Sequence, residues 1–190
     1  MTNDTELIRA KWLLEDSGDA GIVTDANGTI EYVNASFEAL TGYGSEEVLG
    51  RTPAILKSGQ QSGEFYRGLW AQLQAGQEYR GVLVNRHRDG RLFHEEKTIR
   101  PLFDAKGEIC HYMSAGRDVS PRVVALEQLR YDATHDGLTE LPNRTLFHDR
   151  LQQALICATR SGARLAVALI DVNDFKAIHD QHGPHAGHAA

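Results

Sequence analysis

Cysteine is scarce in this sequence: Cys110 and Cys157 stand far apart, with neither disulfide nor metal-ligand spacing. Long apolar runs are missing too, and no stretch reaches the length needed to cross a bilayer. The first residues, MTNDTELIRAKW, carry charges where a secretory leader would carry an apolar core. Positive charge is in deficit, with a formal net charge of −6, which argues against a broad nucleic-acid-binding surface. The expectation from these absences is a cytoplasmic protein whose chain contacts neither membrane nor nucleic acid. At 190 residues there is room for one ordinary domain and part of another.

What is present begins with a helical pattern over residues 5–16, which places Leu7, Trp12, Leu13 and Leu14 on one approximate stripe ending near Gly18. Two strands follow, Ala20–Thr24 and Thr29–Val33. They are joined at Asn27-Gly28, a pair that tolerates the positive φ angles of a tight hairpin. Asn34 then stands as an N-cap before ASFEALTGY, whose Phe37 and Leu40 form an apolar face. Gly42 and Gly50 bracket a short helical piece, and Phe65, Leu69 and Leu73 recur every four residues in a longer helix closed by Gly76. Three strands complete the segment: Tyr79–Arg88, Arg91–Leu102 and Glu108–Val119, with turns at Asp89-Gly90 and Asp104–Gly107. Two strands, short helices and a three-stranded meander predict an α+β fold around one antiparallel sheet.

The runs GIVTDANGTIEYVNASFEALTGYGSEEVLG and HRDGRLFHEEKTIRPLFDAKGEICHYMSAGRDVS resemble a PAS sensor domain. That resemblance implies a five-stranded antiparallel sheet with small helices enclosing a ligand pocket. It also implies an exit motif, Arg117-Asp118-Val119-Ser120, where the last strand hands over to an output helix. The segment Gly50–Asp89, with LKSG, Leu69-Trp70 and GVLVNRHRDG, resembles the flavin-binding PAS domains of nitrogen-fixation redox sensors. FAD is the cofactor so implied, with Asn85 and Trp70 carried over as its binding residues. A carboxamide suits the donor–acceptor edge of a flavin ring and an indole offers it a flat surface. An asparagine near a strand end also pairs with loops, and a helical tryptophan also serves as plain core, so residue chemistry alone leaves both roles open.

Light-oxygen-voltage photoreceptors resemble the same region, but they need a cysteine in the loop that here reads Arg51-Thr52-Pro53-Ala54. Their second flavin-binding amide is replaced within Phe93-His94-Glu95. A haem sensor needs an axial ligand, and the helix from Gly63 to Ala75 contains no histidine. His87, His94 and His111 read as surface or structural residues.

Between Pro121 and His135 a linker helix is expected, with Val119, Val123, Leu126 and Ala133 near a four–three spacing that Arg130 interrupts. It would either pair with its copy in a homodimer or pack on its own sheet. Beyond it, YDATHDGLTELPNR and LAVALIDVNDFKAIHD resemble the opening of a GGDEF domain, the catalytic domain of diguanylate cyclases. A helix from Arg144 to Arg160, with Leu146, Phe147, Leu151, Leu155 and Ala158 inward, and a buried strand Leu165–Ile170 are expected there. The resemblance makes Asp171 and the Val172 carbonyl Mg²⁺ ligands, with Phe175 and Lys176 against the phosphates of GTP. Asp171 or Asn173 would otherwise merely cap a helix starting near Phe175.

His179 and His188 replace the family's guanine-reading residues, Gly183-Pro184 replaces its Gly-His pair, and no signature turn occurs up to Ala190. Turnover by this chain alone is therefore not expected, and the histidine triplets at 179–188 suggest no ordered metal site. The organisation read from sequence is an N-terminal helix over 1–16, a PAS domain over 17–120, a linker helix over 121–135 and a truncated GGDEF region over 136–190. The function so implied is a redox or oxygen sensor controlling cyclic di-GMP output. The alternatives are a cofactor-free dimerisation or docking module, and a fragment of an active diguanylate cyclase.

Overall fold

The computed structural model describes residues 2–171 and 173. It divides into two compact units, residues 1–124 and 125–190. The first begins with α1 (Thr2–Asp16), β1 (Ala20–Asp25), β2 (Ile30–Val33), α2 (Ala35–Thr41) and α3 (Ser45–Val48). A 3₁₀ turn at Pro53–Leu56 leads to α4 (Gly63–Gln74), then β3 (Tyr79–Arg86), β4 (Leu92–Phe103) and β5 (Ile109–Asp118). The five strands form one antiparallel sheet in the order β2-β1-β5-β4-β3. The five strands read from the sequence in this unit are all present, with ends shifted by at most two residues.

Two of the turns are built by the same local chemistry. Asp25-Ala-Asn-Gly-Thr and Asp104-Ala-Lys-Gly-Glu each close with the aspartate N–H donating to the carbonyl four residues on, at 2.9 and 2.8 Å. In each, the aspartate Oδ1 accepts from the N–H groups two and four residues ahead. Gly28 takes φ 85°, and a Cβ there would also lie 2.9 Å from Trp70 Cη2.

Asn34 does more than cap α2. Its Oδ1 accepts from Phe37 N at 2.9 Å and Gly21 N at 2.8 Å, and its Nδ2 donates to the carbonyls of Leu14 at 2.7 Å and Asp19 at 2.8 Å. Its full carboxamide capacity is used in a buried position, tying together the end of α1, the start of β1 and α2. The α1 stripe differs from the sequence reading. Ala10 and Leu14 face inward, whereas Trp12 and Leu13 are exposed, because Gly21 on β1 leaves room only for Leu14. The four-residue spacing from 10 to 14 is the buried one.

Two apolar clusters form. Ala20, Ile22, Ile30, Val33, Phe37, Val48 and Leu56 make the first, while Leu69, Leu73, Leu83 and Tyr112 make the second. No described helix is long and apolar enough to cross a membrane.

α5 (Ser120–Asp132) spans the division between units and buries none of its residues. In the second unit the DGLTELPNR motif is a self-bonded loop. Asp136 Oδ1 accepts from Leu138 N and Thr139 N, and His135 bridges Pro142. Asn143 then caps α6 (Arg144–Ser161) through Thr145 N and Leu146 N. Two expectations are corrected here. α6 buries no residue, so Phe147 and Leu155 are exposed and not inward. Leu165–Ile170 is not a strand, and Leu169 and Ile170 are almost fully exposed. A strand exists only through its ladder, and no described residue pairs with this one.

Candidate functional site

A cavity of about 320 Å³ is lined from both apolar clusters of the first unit, at the small end of the range for organic ligands. Its walls are Leu56, Leu69, Trp70, Leu73, Leu83, Ile99 and Tyr112, and its polar groups include Tyr66, Asn85, Lys97 and Ser114. The helix α4 delivers Tyr66, Leu69, Trp70 and Leu73, which fall on one face by three–four spacing. Trp70 meets Tyr112 edge to face at 5.5 Å. The strand alternation then places Leu83 and Asn85 of β3, Lys97 and Ile99 of β4, and Tyr112 and Ser114 of β5 on the same sheet face. Asn85 and Trp70, the two flavin residues read from sequence, thus both line this one cavity.

Asn85 is buried and donates through Nδ2 to Glu95 Oε2 at 2.6 Å. One N–H and the amide oxygen are left without a hydrogen bond among the described residues. Its backbone faces Lys57 in an isolated bridge, the Ser58 hydroxyl donates to Val84 O, and Arg86 Nη2 donates to Ser58 O at 2.8 Å. The LKSG segment is therefore a strap that covers the edge of β3 beside the cavity.

The Tyr66 hydroxyl carries the most information about occupancy. It lines the cavity and is buried without a hydrogen-bond partner among the described residues. Desolvation raises its pKa, so it stays a neutral donor across the physiological range. A buried hydroxyl left unpaired is unfavourable by about 1–3 kcal/mol, which a ligand acceptor would relieve. Sequence reasoning missed Tyr66, Glu95 and Lys97. Tyr66 precedes Trp70 by four residues on the same helix, and Glu95 and Lys97 alternate with Phe93 and Ile99 at a period of two.

The group set fits a flavin ring: flat apolar walls, a carboxamide with both donor and acceptor to offer, and an unpaired hydroxyl. His87, His94 and His111 are not among the cavity residues, so none is placed as a haem ligand. The loop residue Pro53 does line it, where an adduct-forming cysteine would be needed.

In the second unit Asp171 is exposed, and no described cluster of His, Cys, Asp or Glu has metal-binding geometry. Val172, Phe175, Lys176, His179 and His188 lie outside the described residues.

Comparison with known proteins agrees with this architecture. Residues 11–119 match the PAS fold family, and residues 133–190 match the diguanylate cyclase GGDEF domain. The chain belongs to the PAS family, with a GGDEF domain region after the sensor fold. It is 30% identical over 167 residues to a nitrogen fixation regulatory protein of Klebsiella pneumoniae, an alignment covering 83% of this chain and 34% of that protein. A probable diguanylate cyclase, DgcE of Escherichia coli, is 29% identical over 180 residues, 93% of this chain and 16% of the relative. The chain thus spans about a third or less of these curated relatives. Among solved structures, an RNA-binding light-oxygen-voltage receptor superposes with a TM-score of 0.58 at 28% identity, covering 68% of this chain and 37% of that one.

Proposed function

We propose that the first unit is a cytoplasmic flavin-binding redox or oxygen sensor, with FAD as its cofactor, and that it controls a diguanylate cyclase-type output. The observation that carries this reading is the cavity in which Asn85, Trp70 and the unpaired Tyr66 hydroxyl converge. Similarity to a nitrogen fixation regulatory protein and to a light-oxygen-voltage receptor supports a flavin, and the GGDEF match supports the output. Bound FAD would supply two-electron redox chemistry. Asn85 would pair with the ring edge, Trp70 would cover a ring face, and Tyr66 would donate to an acceptor. Pro53 excludes a cysteinyl adduct from the loop it occupies, which favours redox over light as the signal.

The proposal extends to a homodimer through the PAS unit and the linker helix, on which Val124, Leu126 and Leu129 are exposed apolar side chains. For the second unit it retains GTP as substrate, Asp171 and Val172 as Mg²⁺ ligands, and Phe175 and Lys176 as phosphate contacts.

The test is an absorption spectrum of purified protein before and after incubation with FAD. A yellow protein that releases FAD on denaturation is expected. Replacing Asn85 by Ala should weaken flavin binding by about 1–3 kcal/mol, roughly five- to 150-fold in dissociation constant. Protein that stays colourless in the presence of FAD returns the domain to a docking role.

A further inference from the structure

The sheet face that lines the cavity carries a charged pair where apolar residues would have been simpler. Lys97 Nζ lies 2.7 Å from Glu95 Oε1, and the two side chains are 5% and 1% exposed. The second carboxylate oxygen of Glu95 accepts from Asn85. Space for this carboxylate is made by Gly116, which pairs with Lys97 across the sheet and whose missing Cβ would collide with Glu95. Burying two ions is often no more stabilising than burying apolar side chains of equal volume. Stability is therefore a poor explanation of the pair.

Orientation is a better one. Lys97 lines the cavity and Glu95 does not, since both carboxylate oxygens are engaged by Lys97 and Asn85. The ammonium has three N–H bonds, and Glu95 is its sole hydrogen-bond partner among the described residues. The cavity lining includes two lysines, Lys97 within and the exposed Lys57, and no carboxylate. The charged groups that reach the cavity are thus cationic, with the Glu95 carboxylate behind Lys97 and not facing an occupant.

The geometry points to a cavity that selects a flat ring whose buried edge is anionic or becomes so, with Lys97 as the specificity-determining residue and Glu95 as the residue that positions it. Resting on the flavin reading, this has a definite chemical consequence. Bound FAD would take two electrons from an external donor such as dithionite, together with solvent protons. Lys97 would favour an anionic reduced ring, formed with one proton, over the neutral one formed with two.

The experiment compares the wild type with Glu95→Gln/Lys97→Met, which removes both charges at similar volume and leaves no unpaired ion. Midpoint potentials of the FAD-loaded proteins are measured against pH in the mildly acidic range. The wild type should take up one proton per two electrons and the variant two, doubling the slope. Equal slopes overturn the assignment. Should the double variant fail to fold, Lys97→Gln keeps a donor for Glu95, loses the charge and must show the same doubling.

If wild-type protein takes up no FAD, the flavin reading fails and the cavity floor is tested on its own with naphthalene-2-carboxylate and naphthalene-2-carboxamide. The wild type should then bind the carboxylate at least tenfold more tightly than the amide, and the variant should lose that preference. Absence of the preference in the wild type, or its survival in the variant, overturns the assignment.

Discussion

Asn34 shows how much one side chain can fix. Helix capping accounts for one of its four hydrogen bonds, and the other three reach Leu14, Asp19 and Gly21. Asn34→Ala should destabilise the sensor by about 3 kcal/mol, combining a lost cap of about 1 kcal/mol with carbonyls left buried and unpaired. Chemical denaturation would read this directly, and a loss under about 1 kcal/mol would show that water replaces the amide. Gly116→Ala should also destabilise, by about 1–3 kcal/mol through overpacking against Glu95. Pairing it with Glu95→Ala should recover part of that loss, and a double-mutant cycle measures the coupling.

The capping role of Asn34 was legible because it is local, spanning three residues. Its bonds to residues 13 to 20 positions away were not. Glu95 and Lys97 sit in HEEKTI, which reads as a solvated face until the flanking Phe93 and Ile99 fix the inward parity.

At the scale of elements, the sheet was readable because its turns carry their own instructions. Asp25 and Asp104 each gather backbone N–H groups before any long-range contact is made, and Gly28 and Gly107 supply the positive φ. Those same bonds set a pH dependence. Hydrogen bonding from the Thr29 N–H holds Asp25 below the usual aspartate value of 3.8, and bonding from the Glu108 N–H does so for Asp104. A carboxyl group whose pKa is lowered in the folded state stabilises the fold above its unfolded value, and that stability is lost as pH falls through the folded value. The melting temperature should therefore be flat above about pH 5 and fall below about pH 4. Asp25→Asn/Asp104→Asn should melt lower at neutral pH and fall less steeply in acid. An unchanged acid limb would place the sensitivity elsewhere.

The segment Leu165–Ile170 marks the limit of such reading. Its apolar run has the composition of a buried strand, but composition does not provide the neighbour that makes it one. The same holds for α6, whose Leu and Phe pattern predicts a buried face that no described residue covers.

For the whole molecule, the two units should behave differently on unfolding. The first has a five-stranded sheet and two apolar clusters, so residues 1–120 should unfold cooperatively without the rest. Residues 17–120 should still fold but melt at least about 5 °C lower, because Leu14 and its carbonyl contact to Asn34 are gone. Calorimetry of the two lengths checks this, and equal midpoints would show that α1 adds nothing to the fold.

One junction has a meaning for how such chains are assembled. The N–H of His94 donates to Ser120 Oγ at 2.7 Å, the N–H of Val119 donates to His94 O at 2.8 Å, and Asp118 Oδ1 accepts from Ser120 N at 2.8 Å. Each of these bonds uses only residues up to Ser120, so the first turn of α5 is started entirely by the sensor. A recombination point after Ser120 would carry the complete starting instruction with it, whatever helix was spliced on. The sensor is in this sense a portable part, able to pass between genes without renegotiating its outlet.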